Sequence, residues 1–150
     1  MRFSTQTLYG LKAVLFLAGR FGQGSTPVSS IAKSEGISTA YLEQILNKLK
    51  KKGLVRSLRG PQGGYVLTKK PVEIDLKTLF YALVERPFRE LEGKSPRDAS
   101  DTAVAGWLFW SEFKKILDDG LAETTLQNLM DQTRAFKKDK SKFKTPNFNI

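Results

Sequence analysis

The sequence predicts a mainly α-helical chain that carries one small β-hairpin. Three observations lead to this fold class. Apolar residues recur at helical spacing along most of the 150 residues. The stretch from Ser38 to Lys52 is the clearest amphipathic helix, and two short apolar runs separated by glycines follow it directly, over residues 54–67. A helix that leads into a glycine-tipped hairpin therefore organises the chain.

The N-terminal sequence predicts two helices before the helix that begins at Ser38. Residues 5–21 are rich in apolar side chains around the whole helix, which predicts burial on two sides, one in the same domain and one against a second subunit. Residues 28–35 form a short helix, and Gly36 makes the turn into Ser38. Two helices joined at a glycine turn are typical of a helix-turn-helix, whose second helix lies in the DNA major groove.

The central helix has well-marked ends and two different faces. Ser38 is a favourable N-cap, and Gly53 suits the left-handed residue that closes a helix. Its apolar side is formed by Leu42, Ile45, Leu46 and Leu49, and its opposite side by Ala40, Glu43, Gln44, Asn47, Lys48 and Lys51. One side therefore packs in the core, and the other is free to contact a partner.

The hairpin predicts a wing beside this helix. Strands are expected over residues 54–58 and 65–67, and Gly60, Gly63 and Gly64 permit a tight turn with close backbone approach. Arg59 places a cation at the base of the turn, which suits the negative potential of a DNA minor groove, although an ordinary hairpin turn is the simpler interpretation. The fold class is thus a winged helix-turn-helix followed by a long dimerisation helix.

The rest of the chain predicts a connection and further helices. A loop at 69–73 precedes a helix that Asp75 caps and that ends before Pro87. We expect residues 1–85 to form the winged helix-turn-helix domain, 86–101 a loop, 102–136 dimerisation helices with Thr125 capping the last one, and 137–150 a basic disordered tail.

Charge is segregated along the chain. Residues 1–70 contain twelve Lys/Arg and two Asp/Glu, net +10; residues 71–136 contain eight and twelve, net −4; residues 137–150 contain five and one, net +4. The basic charge thus lies with the predicted helix-turn-helix and wing, and it suits a polyanionic partner. DNA and a membrane surface are the two candidates. No apolar run approaches the roughly 20 residues that span a bilayer, and no signal peptide is visible, so a cytoplasmic protein is expected.

The absence of cysteine and histidine restricts the chemistry of this chain. Disulfides, thiolate clusters, imidazole-bound zinc and histidine-based catalysis are excluded from within it. The acidic residues Glu90, Glu92, Asp98 and Asp101 predict a solvated loop rather than a cation site. No nucleophile–base pair or phosphate-binding glycine loop can be assembled, so no enzyme and no cofactor are expected.

Several motifs resemble one known family. These are the opening MRFSTQTLYGLKAV, the run Ile37-Ser38 with Tyr41 to Gln44, the segments Gly53 to Val55, Arg59-Gly60 and Gly63 to Tyr65, and the late WLFWSEFKKIL with TLQNLM. Together they are similar to the Rrf2 family of bacterial winged-helix regulators, over most of residues 1–131. The hairpin signature, attached to the helix-turn-helix, makes this resemblance specific.

The resemblance implies a homodimer that binds double-stranded DNA at a site of dyad symmetry. Residues at positions matching Ser38, Ala40, Glu43 and Gln44 would approach base edges, and Arg59 would enter the minor groove; Ala40 departs from the polar residue often found there, so the preferred operator is expected to differ. The full set of DNA-binding residues that we predict is Ser38, Ala40, Tyr41, Glu43, Gln44, Lys48, Lys51, Arg56, Arg59, Gly60, Gly63 and Gly64. The predicted dimer interface is Leu8, Leu15, Trp110, Phe113, Leu117 and Leu121.

Sensing is where the sequence departs from the family pattern. Many members hold an iron–sulfur cluster on three cysteines before the long helix, and the equivalent positions here are Glu92, Asp98 and Val104. The resemblance is therefore to a cluster-free branch, controlled by an effector protein or a small ligand. We expect a sequence-specific transcriptional regulator that acts as a repressor; the alternative is a winged helix used as a protein-interaction or scaffold module.

Overall fold

The computed structural model describes residues 3–93 and 95–139. Within these ranges the chain forms six α-helices, two strands and two short 3₁₀ turns. In chain order they are α1 Thr5–Gly19, α2 Val28–Glu35, α3 Thr39–Lys51, β1 Val55–Leu58, β2 Gly64–Leu67, a 3₁₀ turn Pro71–Glu73, α4 Leu76–Leu83, a 3₁₀ turn Arg89–Leu91, α5 Asp101–Ala122 and α6 Leu126–Lys138. The predicted fold class, a mainly α-helical winged helix-turn-helix with a long late helix, is confirmed.

The ends of the helix-turn-helix follow local sequence signals. Ser38 caps α3, and its hydroxyl accepts a hydrogen bond from the backbone N–H of Tyr41 at 3.3 Å. Gly36 and Gly53 follow α2 and α3 with φ of 67° and 75°, in the left-handed region that favours glycine. Lys48, Lys50 and Lys51 lie in the last turn of α3, where they stabilise the negative end of the helix dipole. The predicted start and stop of α3 are both confirmed.

The core lies where α1, α2 and α3 meet beneath the hairpin. Ile31 of α2 and Leu42 and Leu46 of α3 are fully buried there. Burial of each such side chain contributes about 1.5–3 kcal/mol to folding. Gly10 brings α1 close to α4, because a Cβ at this position would lie 2.7 Å from Cδ2 of Leu83. The apolar side predicted for α3 is thus the side that packs.

The hairpin is widened by one bridge from the loop before α2. β1 pairs antiparallel with β2, in a register that places Val55 opposite Leu67. Thr26 adds a β-bridge to Tyr65. The backbone nitrogen of Thr26 lies 3.0 Å from the carbonyl oxygen of Tyr65, and the reverse distance is 2.8 Å. A Cβ on Gly64 would overlap the carbonyl group of Thr26, so only glycine fits this close approach. The wing is therefore fixed to the helix-turn-helix along β2.

The last two helices lie in different places. α6 packs against α1 and the turn Pro71–Glu73, and its Leu126 is fully buried in the core. α5 instead contacts α4 and the turn Arg89–Leu91. The range 102–136 therefore contains one helix of the compact body and one helix that is largely exposed. No helix of the described residues is long and apolar enough to cross a bilayer.

Smaller features of the connections differ from the sequence expectation. The segment 69–73 is not wholly a loop, because Pro71 fixes a backbone angle that suits the first position of a 3₁₀ turn. α6 continues through Lys137 and Lys138, where positive charge stabilises the C-terminal end of a helix. The remainder of the predicted tail, from residue 140, lies outside the described residues.

A buried carboxylate joins α4 to α5. Asp118 is 7% exposed and accepts hydrogen bonds from the hydroxyl of Tyr81 at 2.8 Å and from Nζ of Lys114 at 2.5 Å. Nζ of Lys77 lies 3.4 Å from the same carboxylate. Burial alone would raise the pKa of Asp118, but the hydrogen bonds from Lys114, Tyr81 and Lys77 outweigh it and lower this pKa. Asp118 is therefore held in its charged form between the two helices.

Candidate DNA-binding surface

The outer side of α3 presents the side chains that were predicted to meet base edges. Ser38, Ala40, Glu43, Gln44 and Lys51 are all exposed. The amide of Gln44 carries both a donor and an acceptor, and the carboxylate of Glu43 carries acceptors alone. These are the groups that distinguish base pairs in a major groove. The structure brings this part of the predicted site together on one surface.

Two side-chain contacts hold the wing against α3. Nζ of Lys50 donates to Oγ of Ser57 in β1 at 2.8 Å. The hydroxyl of Tyr65 in β2 donates to Oδ1 of Asn47 at 3.4 Å, a longer contact. Burial raises the pKa of Tyr65, and the nearby charge of Glu43 raises it further, so this hydroxyl keeps its proton. Each strand of the wing is therefore linked to α3 by one side-chain contact.

Lys50, Ser57 and Asn47 were not among the predicted site residues. Asn47 had been placed on the polar side of α3, and Lys50 lies within the run of three lysines that ends this helix. Their roles depend on how the hairpin folds back over α3, which is a contact between separate segments. A helical pattern alone carries no signal for such a contact.

The wing tip is a tight turn with an exposed arginine at its base. Gly60 has φ of 110°, and its carbonyl accepts a hydrogen bond from the N–H of Gly63 at 2.9 Å. A Cβ on Gly63 would lie 2.8 Å from the carbonyl oxygen of Leu58, so a larger residue would open the turn. Arg56 and Arg59 are exposed and form no ion pair within residues 3–93 and 95–139. Both guanidinium groups are therefore available for phosphate or a minor groove.

Two predicted DNA-binding residues are engaged within the chain. The ring of Tyr41 is half-buried and meets the ring of Tyr9 edge-on, with centroids 6.0 Å apart. Nζ of Lys48 donates to Oε1 of Glu85 and to Oε1 of Gln6, both at 3.0 Å. Tyr41 therefore contributes packing between α1 and α3, and Lys48 is held in an exposed ion pair with Glu85.

The residues predicted for a dimer interface lie in two regions. Leu8 is 48% exposed and lines an apolar groove of about 220 Å³ between α1 and α4, together with Phe80 and Leu83. Leu15 is half-buried in a second groove, between α1 and α6. The structure does not bring Leu15 into the groove that contains Leu8.

On α5 the exposed apolar side is broader than predicted. Trp110 and Phe113 are exposed, whereas Leu117 and Leu121 are half-buried. The predicted interface did not include Leu108, Phe109 and Ile116, which are 55%, 62% and 64% exposed. Phe109, Phe113 and Ile116 follow at spacings of four and three residues and form one stripe on the helix.

Comparison with known proteins shows which family has this architecture. The model of the family described as "Rrf2: Iron-dependent Transcriptional regulator" matches residues 3–132. CymR of Bacillus subtilis, named an HTH-type transcriptional regulator, is 33% identical over 133 residues, which cover 89% of this chain and 92% of CymR. IscR of Photorhabdus laumondii, which carries the same description, is 30% identical over 152 residues, covering 98% of this chain and 92% of IscR.

The iron dependence in the family description does not fit the donor set of this chain. Iron–sulfur clusters are held by cysteine thiolates, and the sequence contains neither cysteine nor histidine. Within residues 3–93 and 95–139, no group of three or more acidic side chains is placed to hold a metal ion. Glu92 lies at one of the three positions equivalent to the cluster cysteines, and its carboxylate pairs with the guanidinium of Arg86. The residues present thus supply no site for a cluster.

Solved structures extend the similarity to the fold. The structure of B. subtilis CymR, titled the global cysteine regulator, superposes with a TM-score of 0.68 at 32% identity, covering 88% of this chain and 98% of CymR. The structure of T. potens IscR gives a TM-score of 0.66 at 33% identity, covering 89% and 88% of the two chains. The family model, the relatives and the fold agree, and this chain belongs to the Rrf2 family of transcriptional regulators.

Proposed function

We propose that this protein is a sequence-specific transcriptional repressor that binds a dyad-symmetric operator as a homodimer. The observation that carries the proposal is the contact between Lys50 and Ser57, 2.8 Å long, which joins the recognition helix to the wing. We infer that the exposed polar side of α3 and the exposed Arg59 lie on the same surface, because the hairpin that carries Arg59 is held against α3 by this contact. A surface of this kind reads a major groove and the adjacent minor groove together.

Each part of the surface has a distinct role. Gln44 suits the two polar atoms at an adenine edge, Glu43 accepts from the amino group of cytosine, and the methyl group of Ala40 contacts the methyl group of thymine. Lys51 and Arg56 neutralise phosphates, which gives affinity without sequence preference. Arg59, held at the tight glycine turn, enters the minor groove, where the potential is most negative.

Dimerisation uses the exposed apolar side of α5. Phe109 and Ile116 are among the most exposed large apolar residues of the chain, and they face away from α4. The groove that contains Leu8 is lined almost wholly by apolar side chains of α1, α4 and α6. Burying both surfaces removes apolar area from water, which is the main driving force for stable association. In this arrangement α5 of one subunit lies in the α1–α4 groove of its partner.

The regulator acts without an iron–sulfur cluster, and a small ligand or an effector protein supplies its signal. The chemistry of the donor set supports this part of the proposal, because carboxylates do not replace the thiolates of a cluster. The operator that the dimer reads overlaps a promoter, so that bound protein blocks transcription.

Selection of bound duplexes from a random DNA pool tests the function. We expect enrichment of one sequence of dyad symmetry, with two half-sites at a fixed spacing. Affinity for this sequence should fall as salt rises while the preference over random DNA remains. A protein that binds all duplexes equally, with a salt dependence alone, would be a scaffold or a nonspecific DNA binder, and the proposal would be wrong.

A further inference from the structure

A cleft lies beside the wing, next to the C-terminal end of α1. Residues that follow α1, the strand β2 and the segment leading into Pro71–Glu73 enclose a volume of about 410 Å³. Pockets for small molecules in proteins have volumes of about 300–1,000 Å³. Its lining includes Arg56 and Tyr65, so the cleft adjoins the proposed DNA-binding surface.

Four cationic side chains surround this cleft, namely Arg20, Arg56, Lys69 and Lys70. Over residues 3–93 and 95–139, none of the four forms an ion pair with a carboxylate. The acidic residue of the lining, Glu73, already accepts a hydrogen bond from the backbone N–H of Lys70 at 2.9 Å. Four positive charges thus face one negative charge, which favours an anionic ligand.

The walls of the cleft indicate an organic anion. Most of the apolar surface in the lining comes from Phe21, which is exposed, and Val66, which is half-buried; the buried side chains of Leu17 and Leu67 complete it. A DNA backbone presents its phosphates along the outside of the duplex, and its small sugar rings offer no aromatic or extended apolar group to a concave space. A molecule with an apolar or aromatic body and a phosphate or carboxylate group satisfies both the cationic side chains and the apolar walls.

We propose that this cleft binds a small organic anion and that its occupancy lowers the affinity of the protein for DNA. Arg56 provides the coupling, because its guanidinium lines the cleft and also belongs to the predicted phosphate-binding set. A ligand that binds Arg56 removes this cation from DNA. The second part of the proposal rests on the proposed DNA-binding function; the first part does not.

Binding is tested with phenyl phosphate as the probe, beside inorganic phosphate and phenol at equal ionic strength. Backbone amide shifts of the full chain, measured by nuclear magnetic resonance, should saturate with phenyl phosphate at residues 17–26 and 65–70. Inorganic phosphate should bind more weakly because it lacks the apolar body, and phenol more weakly because it lacks the charge. Linear, unsaturated shifts, or saturating shifts located instead at the α1–α4 groove, would overturn the proposal.

A matched pair of variants separates a built site from general charge attraction. K69Q/K70Q should weaken phenyl phosphate binding about fivefold, since exposed ion pairs are individually weak. K33Q/K115Q removes the same number of charges from exposed positions of α2 and α5, outside the cleft, and should leave binding unchanged. Equal weakening in both variants would show that the probe responds to net charge alone, and the assigned site would be wrong.

The effect on DNA is measured separately, with the duplex obtained by selection. Phenyl phosphate should weaken wild-type binding to this duplex and affect K69Q/K70Q only at higher concentration, whereas phenol should affect neither. If phenyl phosphate saturates the cleft but DNA affinity does not change, the coupling is refuted while DNA binding stands. If a DNA duplex alone produces the same saturating shifts at residues 17–26, the cleft is a backbone contact and the proposed ligand class is wrong.

Discussion

Nζ of Lys48 and Oε1 of Glu85 lie 3.0 Å apart, so an exposed ion pair links α3 to the residue after the C-cap of α4. The hydrogen bond from Lys48 lowers the pKa of Glu85, and the positive charge of Lys48 acts in the same direction. The carboxylate is therefore charged at neutral pH and places a negative charge beside the proposed DNA-binding surface.

Replacing Glu85 should strengthen DNA binding. In Glu85→Gln, Lys48 loses its ion pair and keeps only the neutral contact with Gln6, so it contacts a phosphate more readily, and one repulsive charge is removed. We expect DNA affinity to rise about threefold and the salt dependence to steepen by about one ion. Glu90→Gln, at an exposed acidic residue that forms no ion pair within the described residues, makes the same charge change and should have a smaller effect. Equal gains in the two variants would contradict a specific role for the Lys48–Glu85 pair.

Variants at Gln44 and Lys51 should distinguish sequence-specific contacts with bases from nonspecific attraction to phosphates. Gln44→Ala removes a side chain that pairs with a base edge, so binding to the selected operator should lose about 1–3 kcal/mol while binding to random DNA changes little. Lys51→Ala should weaken all sequences similarly, because a phosphate contact carries no sequence information. Titration of both variants on operator and random duplexes measures the difference. Equal losses on both duplexes for Gln44→Ala would refute its assignment to a base contact.

The sequence predicted what depends on neighbouring residues. The cap at Ser38, the left-handed Gly53 and the glycine turn of the wing follow from local backbone chemistry, and the structure has all three. The bridge between Thr26 and Tyr65 joins segments far apart in the chain, and no local sequence pattern predicts it. The pairing of Lys48 with Glu85 escaped prediction for the same reason.

The exposed side of α5 shows a second limit of sequence reasoning. Apolar residues occur around most of this helix, so the pattern does not indicate which side faces the rest of the chain. Asp118 settles the orientation, because its contacts with Tyr81 and Lys77 turn that side of α5 toward α4. Phe109 and Ile116 then face outward. The half-buried Leu117, chosen from the sequence, lies on the flank between the two sides.

A charge on the exposed stripe of α5 should separate the subunits. Ile116 is 64% exposed, so Ile116→Glu should leave the fold of the single chain intact and prevent apolar association. Sedimentation should then show monomers, and operator affinity should fall at least about tenfold, because two half-sites are no longer bound together. Lys115→Glu places the same acidic residue at the neighbouring exposed position, off the stripe, and should leave a dimer. An unchanged dimer in Ile116→Glu would refute this interface.

The free energy of unfolding should depend on pH through the carboxylate of Asp118. The pKa of Asp118 is lowered in the folded state, so its contribution is complete above the unfolded-state value of about 3.9 and is lost as pH falls through the folded-state value. Asp118→Asn should therefore cost about 1 kcal/mol at pH 7, since the lysine partners are partly exposed, and much less in acid, at a pH below the folded-state pKa of Asp118. Urea unfolding at a single protein concentration measures both values.

The neighbouring residue provides the control for this measurement. Asp119 is exposed and forms no ion pair in the part of the chain that the structure describes. Asp119→Asn should change the free energy of unfolding by less than about 0.5 kcal/mol at either pH. If Asp118→Asn lowers stability by the same amount at both pH values, its effect is one of packing and hydrogen bonding, and the assigned charge linkage is wrong.

DNA binding by this protein should be indifferent to iron, nitric oxide and thiol redox state. Cluster ligation and thiol switching require soft or redox-active side chains, and the sulfur residues of this chain are Met1 and Met130 alone. Met130 packs on the core from α6, away from the loop before α5. Protein purified without oxygen should be colourless, and its operator affinity should stay within about twofold on exposure to air or nitric oxide. Coloured, iron-containing protein whose operator affinity changes on that exposure would overturn this prediction.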